Sequence, residues 1–244
     1  MDSSLEINTS NVSSKAFVDD KLNVFSKILD SLEKNSSKAK AHLLTLVKAG
    51  DKIDNKNLEK YQFEAHGFAW FETYRIALRE TLNWYKTLLE LNKASDLESS
   101  ILAYAFSEYL NQMRFGIMMS QSEIIRPVAL GISNEDFDFC NIPDVNELIS
   151  FGASDEVKRS MMMSLENGIM PNLGLNDDTL DMIQDQFKKF TDEEIIPAAN
   201  EWHLKDDLIP DDILKKMADL GVFSIAIPEE YGGLGMGKVA MCVV

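Results

Sequence analysis

The sequence predicts an all-α protein, on three observations. Apolar residues recur at helical spacing through most of its 244 positions. Capping signatures stand ahead of several of these runs, and Gly or Pro stands behind them. No β-rich stretch and no internal repeat breaks the pattern before residue 168. A hydrophobic fraction of 45% against 26% charged residues supplies material for a sizeable core.

Residues 1–15 are polar and rich in Ser and Asn, and read as a disordered lead-in. A helical extension follows over 16–167. Its first two helices are expected near 17–34, where Val24, Ile28 and Leu32 recur every fourth residue, and near 37–49, ending at Gly50. The stretch 56–92 carries the broadest apolar surface. Phe63, Trp70, Tyr74, Ala77, Tyr85 and Leu88 form one stripe, widened by Phe68, Phe71, Ile76 and Leu82, which suits a helix contacted on several sides. Gly67 lies inside it, where Gly costs about 1 kcal/mol relative to Ala.

Ser95 and Glu98 fit a capping box opening a helix with Leu102, Phe106, Tyr109 and Met113 on one face. Ser120 and Glu123 repeat that spacing and predict a short helix that stops by Arg126, before Pro127. Residues 131–144 read as a loop, with further helices near 145–151 and 155–167. Glu72 with Arg75, and Glu123 with Arg126, have the spacing of surface ion pairs, worth less than about 1 kcal/mol each. The stretch 168–176, GIMPNLGLN, is the expected domain linker.

Charge and composition exclude several function classes. The net charge of −16, from 40 acidic and 24 basic residues, opposes binding to nucleic acid or anionic lipid. No run approaches the roughly 20 apolar residues that span a bilayer. The opening residues have neither the basic flank nor the apolar run of a secretory signal, so the cytoplasm is the expected compartment. Cys140 and Cys242 read as reduced structural thiols. His42, His66 and His203 are isolated in sequence, and no metal site is expected.

Beyond the linker, Asn176, Asp177 and Asp178 supply a cap and an acidic first turn. Leu180, Ile183, Phe187 and Phe190, then Ile195, Ala198 and Trp202, keep helical spacing, with a kink or restart expected at Pro197. Pro210 is expected at the first position of the next helix and Gly221 at its end. The apolar run 222–227 reads as extended and halted by Pro228, and a last apolar helix begins from Lys238.

Read in order, residues 176–244 resemble the N-terminal domain of acyl-CoA dehydrogenases. The motifs are Phe187 and Phe190; Glu194 to Ala198; Trp202 and His203; Asp206 to Pro210; Leu220 to Phe223; and Ile227 to Met236. The helical extension, with HGFAWFETYRIALRE at 66–80 and FSEYLNQMRFGIMMSQSEIIRP at 106–127, is similar to that of the methylsuccinyl-CoA dehydrogenase subfamily of the ethylmalonyl-CoA route.

The resemblance implies a fold of N-terminal α domain, middle β domain and C-terminal helical bundle. It implies FAD-dependent α,β-desaturation of a short branched acyl-CoA, with a glutamate as base and hydride passing to the flavin. It implies an electron-transfer flavoprotein as acceptor and a homo-oligomer. In that family the flavin-contacting strands, the base and most of the acyl pocket lie beyond the region matched here. No residue of 1–244 is therefore assigned as catalytic, cofactor-binding or metal-binding. The chain is expected to be a fragment, all-α because it is truncated before the β domain, that binds FAD weakly and catalyses nothing by itself. The competing reading is a stand-alone helical protein-interaction module built on the 16–167 bundle.

Three features invite a catalytic reading. Glu229 and Glu230 read better as a turn pair beside Pro228. The glycines at 232, 233, 235 and 237 lack the order of a phosphate loop and read as turn geometry. Trp202 reads as packing at the end of a helical stripe.

Overall fold

The computed structural model describes residues 13–244. The chain divides between Gly174 and Leu175 into two compact units, both helical. Of the expected lead-in, residues 1–12 lie outside the described residues. Ser13 to Lys15 belong to the first helix instead. The Ser13 hydroxyl accepts the Ala16 N–H at 3.5 Å, and Asp96 accepts both the Ser13 hydroxyl at 2.5 Å and the Lys15 N–H at 2.8 Å.

The first unit contains α1 (Ser14–Asp20), α2 (Leu22–Val47), α3 (Asn55–Lys60), α4 (Gln62–Glu90), α5 (Asp96–Phe115), α6 (Val145–Gly152) and α7 (Asp155–Glu166). Helix α5 is the hub and packs against α1, α4, α6 and α7, while α2 lies along α4. Phe25, Ile28 and Leu32 of α2 meet Phe71, Leu78 and Leu82 of α4 and Leu102 and Phe106 of α5 in one continuous core. The Phe25 and Phe106 rings meet edge to face at 4.7 Å.

Helix α2 runs unbroken where two helices were expected. The expected gap holds Asn35 and Ser36, polar side chains of the kind that compete for the backbone. Here they have tertiary partners instead. Asn35 donates to the Asp136 carbonyl at 2.7 Å, Ser36 donates to Glu72 at 2.5 Å, and Ser31 accepts the Phe139 N–H at 3.1 Å.

The buried line of α4 is also rotated from the expected stripe. It runs through Gly67, Phe71, Arg75, Leu78, Leu82, Tyr85 and Leu88, leaving Phe63 and Ile76 exposed. Tyr74 is half-buried, stacks on Tyr109 at 4.2 Å and donates to Gln112 at 2.9 Å. Gly67 is required by close approach, since a Cβ there would lie 2.4 Å from Cγ1 of Ile125.

The capping box of α5 forms as the spacing predicts. Ser120 and Glu123 do not start a helix. They lie in the loop 119–123 of a short hairpin, β1 (Ile117–Met118) against β2 (Ile124–Ile125), with Ile117 opposite Ile125. The Ser120 hydroxyl still donates to the Glu123 carboxylate at 3.2 Å, while the Ser120 N–H bonds the Glu123 backbone carbonyl at 3.3 Å, so the pair closes a turn without the reciprocal bonds of a capping box. Arg126 turns away from Glu123 and donates to the Phe115 carbonyl at the end of α5. A similar ladder joins 48–49 to 52–53 around Gly50, at φ 64°. The loop 131–144 contains short 3₁₀ turns that bury Phe137 and Phe139.

The second unit contains α8 (Asp178–Phe190), α9 (Ile196–Lys205), α10 (Asp211–Asp219) and α11 (Gly237–Val243). Asp177 caps α8, its carboxylate accepting the N–H groups of Thr179 at 2.8 Å and Leu180 at 3.2 Å. Between α8 and α9 lies a π-helical turn, Thr191–Ile195, closed by the Ile196 N–H on the Thr191 carbonyl. Pro197 has no N–H for the ordinary helical bond to residue 193, and the wider turn carries the chain past that gap.

Two boundaries differ from expectation. Pro210 is the N-cap of α10, extended at ψ 141°, and its carbonyl accepts from Ile213 and Leu214. The run 222–227 is not extended. Gly221, at φ 84°, turns the chain into a 3₁₀ turn (Val222–Ser224), and Ser224 and Ile227 close local bonds.

Candidate functional site

The second unit holds an apolar hollow of about 440 Å³. Phe187 and Phe190 enter from α8, Ile195 from the π turn, Trp202 and His203 from α9, and Ile213 and Met217 from α10. The amphipathic spacing of α8 and α10 turns their apolar faces toward it. Phe187 and Ile213 are buried, Trp202 is half-buried, and His203 is exposed. Thus Trp202 and His203 do line a cavity, in apolar company. The walls offer dispersion and apolar burial, with His203 and Asp207 as titratable groups on the lining.

Charged contacts surround the hollow without entering it. Lys216 of α10 donates to Glu194 of the π turn at 2.6 Å, which raises the Lys216 ammonium above its ordinary range. Lys188 of α8 pairs with Asp192 of the π turn and Lys205 with Glu201 within α9, each at 2.5 Å. All three pairs are exposed and hold local geometry more than they stabilise the fold.

The glycine-rich turn can be tested as a cradle for a dinucleotide phosphate, which needs free backbone N–H groups. Those groups are already used within the turn. Gly233 donates to the Pro228 carbonyl, Leu234 to Ser224, Gly235 to Ile227 and Met236 to Ile225. A Cβ at Gly233 would lie 2.0 Å from the Ile227 carbonyl oxygen, so this glycine serves the turn's packing on itself. These residues do not fit a flavin pyrophosphate. Glu229 and Glu230 are exposed at the start of the 3₁₀ turn Glu229–Tyr231.

The first unit contains polar constellations that sequence reasoning missed. Arg75 is buried and pairs with Glu72 and with Glu33 of α2, so it is no surface pair. Its place on the Phe71–Leu78 face was the available signal, because a charge in a buried register needs partners. The Tyr85 hydroxyl donates to Asp19 at 2.7 Å and lies 2.8 Å from the Ser99 hydroxyl. Burial is the main cause pushing its phenol well above the usual range. Among the described residues no three His, Cys, Asp or Glu side chains group as metal ligands, and no helix is long and apolar enough to cross a membrane. Both cysteines are free thiols. Cys140 is half-buried, which pushes its thiol up, and Cys242 is exposed, where a structural thiol was expected.

Comparison with known proteins places these features. The family described as acyl-CoA dehydrogenase, N-terminal domain, matches residues 177–244. The chain is 36% identical over 230 residues, 92% of its length, to (2S)-methylsuccinyl-CoA dehydrogenase of Cereibacter sphaeroides, and spans 41% of that relative. It is 37% identical over 59 residues, 24% of its length, to glutaryl-CoA dehydrogenase of Desulfococcus multivorans, spanning 15% of it. A probable acyl-CoA dehydrogenase of Bacillus subtilis is 36% identical over 69 residues, 22% of the chain and 12% of that relative. The chain therefore spans less than half the length of each of these relatives. Residues 177–244 thus match the helical N-terminal domain of the acyl-CoA dehydrogenase family, and the similarity to the methylsuccinyl-CoA enzyme runs on through most of the helical extension.

Proposed function

We propose that this chain is the N-terminal portion of an FAD-dependent acyl-CoA dehydrogenase that desaturates a short branched acyl-CoA, methylsuccinyl-CoA. The observation that carries the substrate is the extent of similarity. The match to the methylsuccinyl-CoA enzyme covers 92% of the chain and so takes in most of the helical extension, against 24% for the glutaryl-CoA enzyme.

The second unit's surface supports a part in a larger assembly. It buries few apolar side chains (Phe187, Ile213, Ile225 and Ala240), while Leu204 and Leu208 are 75% and 92% exposed. So small a buried core beside such exposure supports a unit that packs against further chain in the whole enzyme. In this reading residues 177–244 contribute a helical wall to the enzyme and no catalytic group. FAD, when bound to the whole enzyme, accepts the hydride. An electron-transfer flavoprotein as acceptor, homo-oligomeric assembly and a cytoplasmic location complete the proposal by family likeness.

The test is to express the chain within its full natural reading frame and, separately, as residues 1–244. Flavin should copurify with the first and not with the second. Stoichiometric FAD on residues 1–244 would contradict the division of labour, and absence of flavin from the full product would contradict the enzyme reading.

A further inference from the structure

The stretch expected to be the domain linker is held to the first unit through Asn172. Its N–H donates to Oε1 of Glu98 at 2.8 Å, and its carbonyl accepts the indole N–H of Trp84 at 2.9 Å. Both backbone groups of one linker residue are thus taken by side chains of two different helices, α5 and α4. The Asn172 side chain then accepts the Gly174 N–H at 2.9 Å. Gly174, at φ 68°, lies where an added Cβ would come 3.1 Å from Leu88 of α4. Ahead of this point the Ile169 N–H still bonds to Ser164 at the end of α7, at 2.9 Å.

Glu98 divides its oxygens between two tasks. Oε2 accepts the Ser95 N–H at 2.9 Å and completes the capping box, while Oε1 is given to Asn172. Glu98 is 3% exposed, so an oxygen without a donor would be costly to leave there. Pro171, Asn172 and Leu173 form one side of a groove whose other side is Glu80, Trp84 and Ile101.

We propose that residues 168–174 are a strap latched to the helical extension through Asn172, and that the unlatched joint is confined to Leu175 and Asn176. Asp177 already belongs to the cap of α8. The latch fixes the point at which the chain leaves the first unit, and it reads no side chain of the strap, only its backbone. This inference stands on unit 1 alone and does not depend on which acyl-CoA the enzyme takes.

Residue-resolved hydrogen exchange on the full 244-residue chain tests it. The Asn172 amide should exchange about tenfold more slowly than an unstructured amide. Trp84→Phe keeps an aromatic ring but removes the donor, and should abolish most of that protection while Leu102 and Phe106 keep theirs. Ser95→Ala removes the hydroxyl that donates to Oε2 of Glu98 but leaves Oε1 with Asn172, and should leave Asn172 protected. Thermolysin should nick before Leu175 ahead of Leu173 in the parent, and lose that preference in Trp84→Phe. An Asn172 amide at the unstructured rate in the parent would overturn the latch. So would equal loss of protection in Ser95→Ala and Trp84→Phe together with the core amides, which would show general loosening.

Discussion

Arg75 and Glu72, one turn apart on α4, are joined through two guanidinium nitrogens, Nε at 2.9 Å and Nη2, with the arginine 7% exposed. Glu33 of α2 takes Nη1, and Ser36 of α2 donates to Glu72. The cluster fastens α2 to α4 across the middle of the core. Arg75→Ala should destabilise by about 2 kcal/mol, since it strands Glu72 beside Ser36. Glu33→Gln should cost less than about 1 kcal/mol, because Glu33 is largely exposed. Urea denaturation of both variants checks the order.

Removing the Tyr85 hydroxyl tests the second buried contact. Tyr85→Phe should cost about 1–2 kcal/mol, because Asp19 and Ser99 lose a shared partner while the ring stays packed. Thermal unfolding followed by circular dichroism measures it.

Acid should weaken the first unit through particular carboxylates. The Lys38 ammonium and the Ser133 N–H and hydroxyl hold Asp136 down from 3.8 to about 2. Arg75 holds Glu72 low, and at Glu98 the bonds from Ser95 and Asn172 outweigh burial, which acts in the opposite sense. A carboxylate depressed in the folded state gives stability above its unfolded value and loses it as pH falls through the folded one. For Asp136 that window runs from 3.8 down to about 2. Denaturant midpoints should therefore fall across it, and Asp136→Asn should flatten that slope. An unchanged slope would remove Asp136 from the account.

Gly67 is a steric prediction with its own rescue. Gly67→Ala places a methyl 2.4 Å from Ile125 and should destabilise by about 1–3 kcal/mol despite better helix propensity. Ile125→Ala in the same chain should return part of that loss. A double-mutant cycle reads the coupling directly.

Much of the helical plan is legible in the sequence, because periodicity and caps are local signals. The capping box at Ser95, the helix end at Gly221 and the disturbance at Pro197 all follow from chemistry within a few residues. What could not be read are features decided by distant partners. Asn35 and Ser36 look like a helix break until Asp136 and Glu72 are brought to them. Ser120 and Glu123 spell a cap equally well for a helix or a hairpin turn, and the β1–β2 pairing decides. At the candidate site, the sequence placed Trp202 on an apolar stripe. It could not show that three helices and a π turn leave a hollow in front of it.

We have proposed that this chain begins an enzyme acting on methylsuccinyl-CoA. Its most direct test is anaerobic titration of the flavoprotein from the full natural reading frame with methylsuccinyl-CoA, glutaryl-CoA and an unbranched short acyl-CoA. The account predicts flavin bleaching that is fastest and stoichiometric with methylsuccinyl-CoA. Faster bleaching by either of the others, or none with any of them, would contradict it.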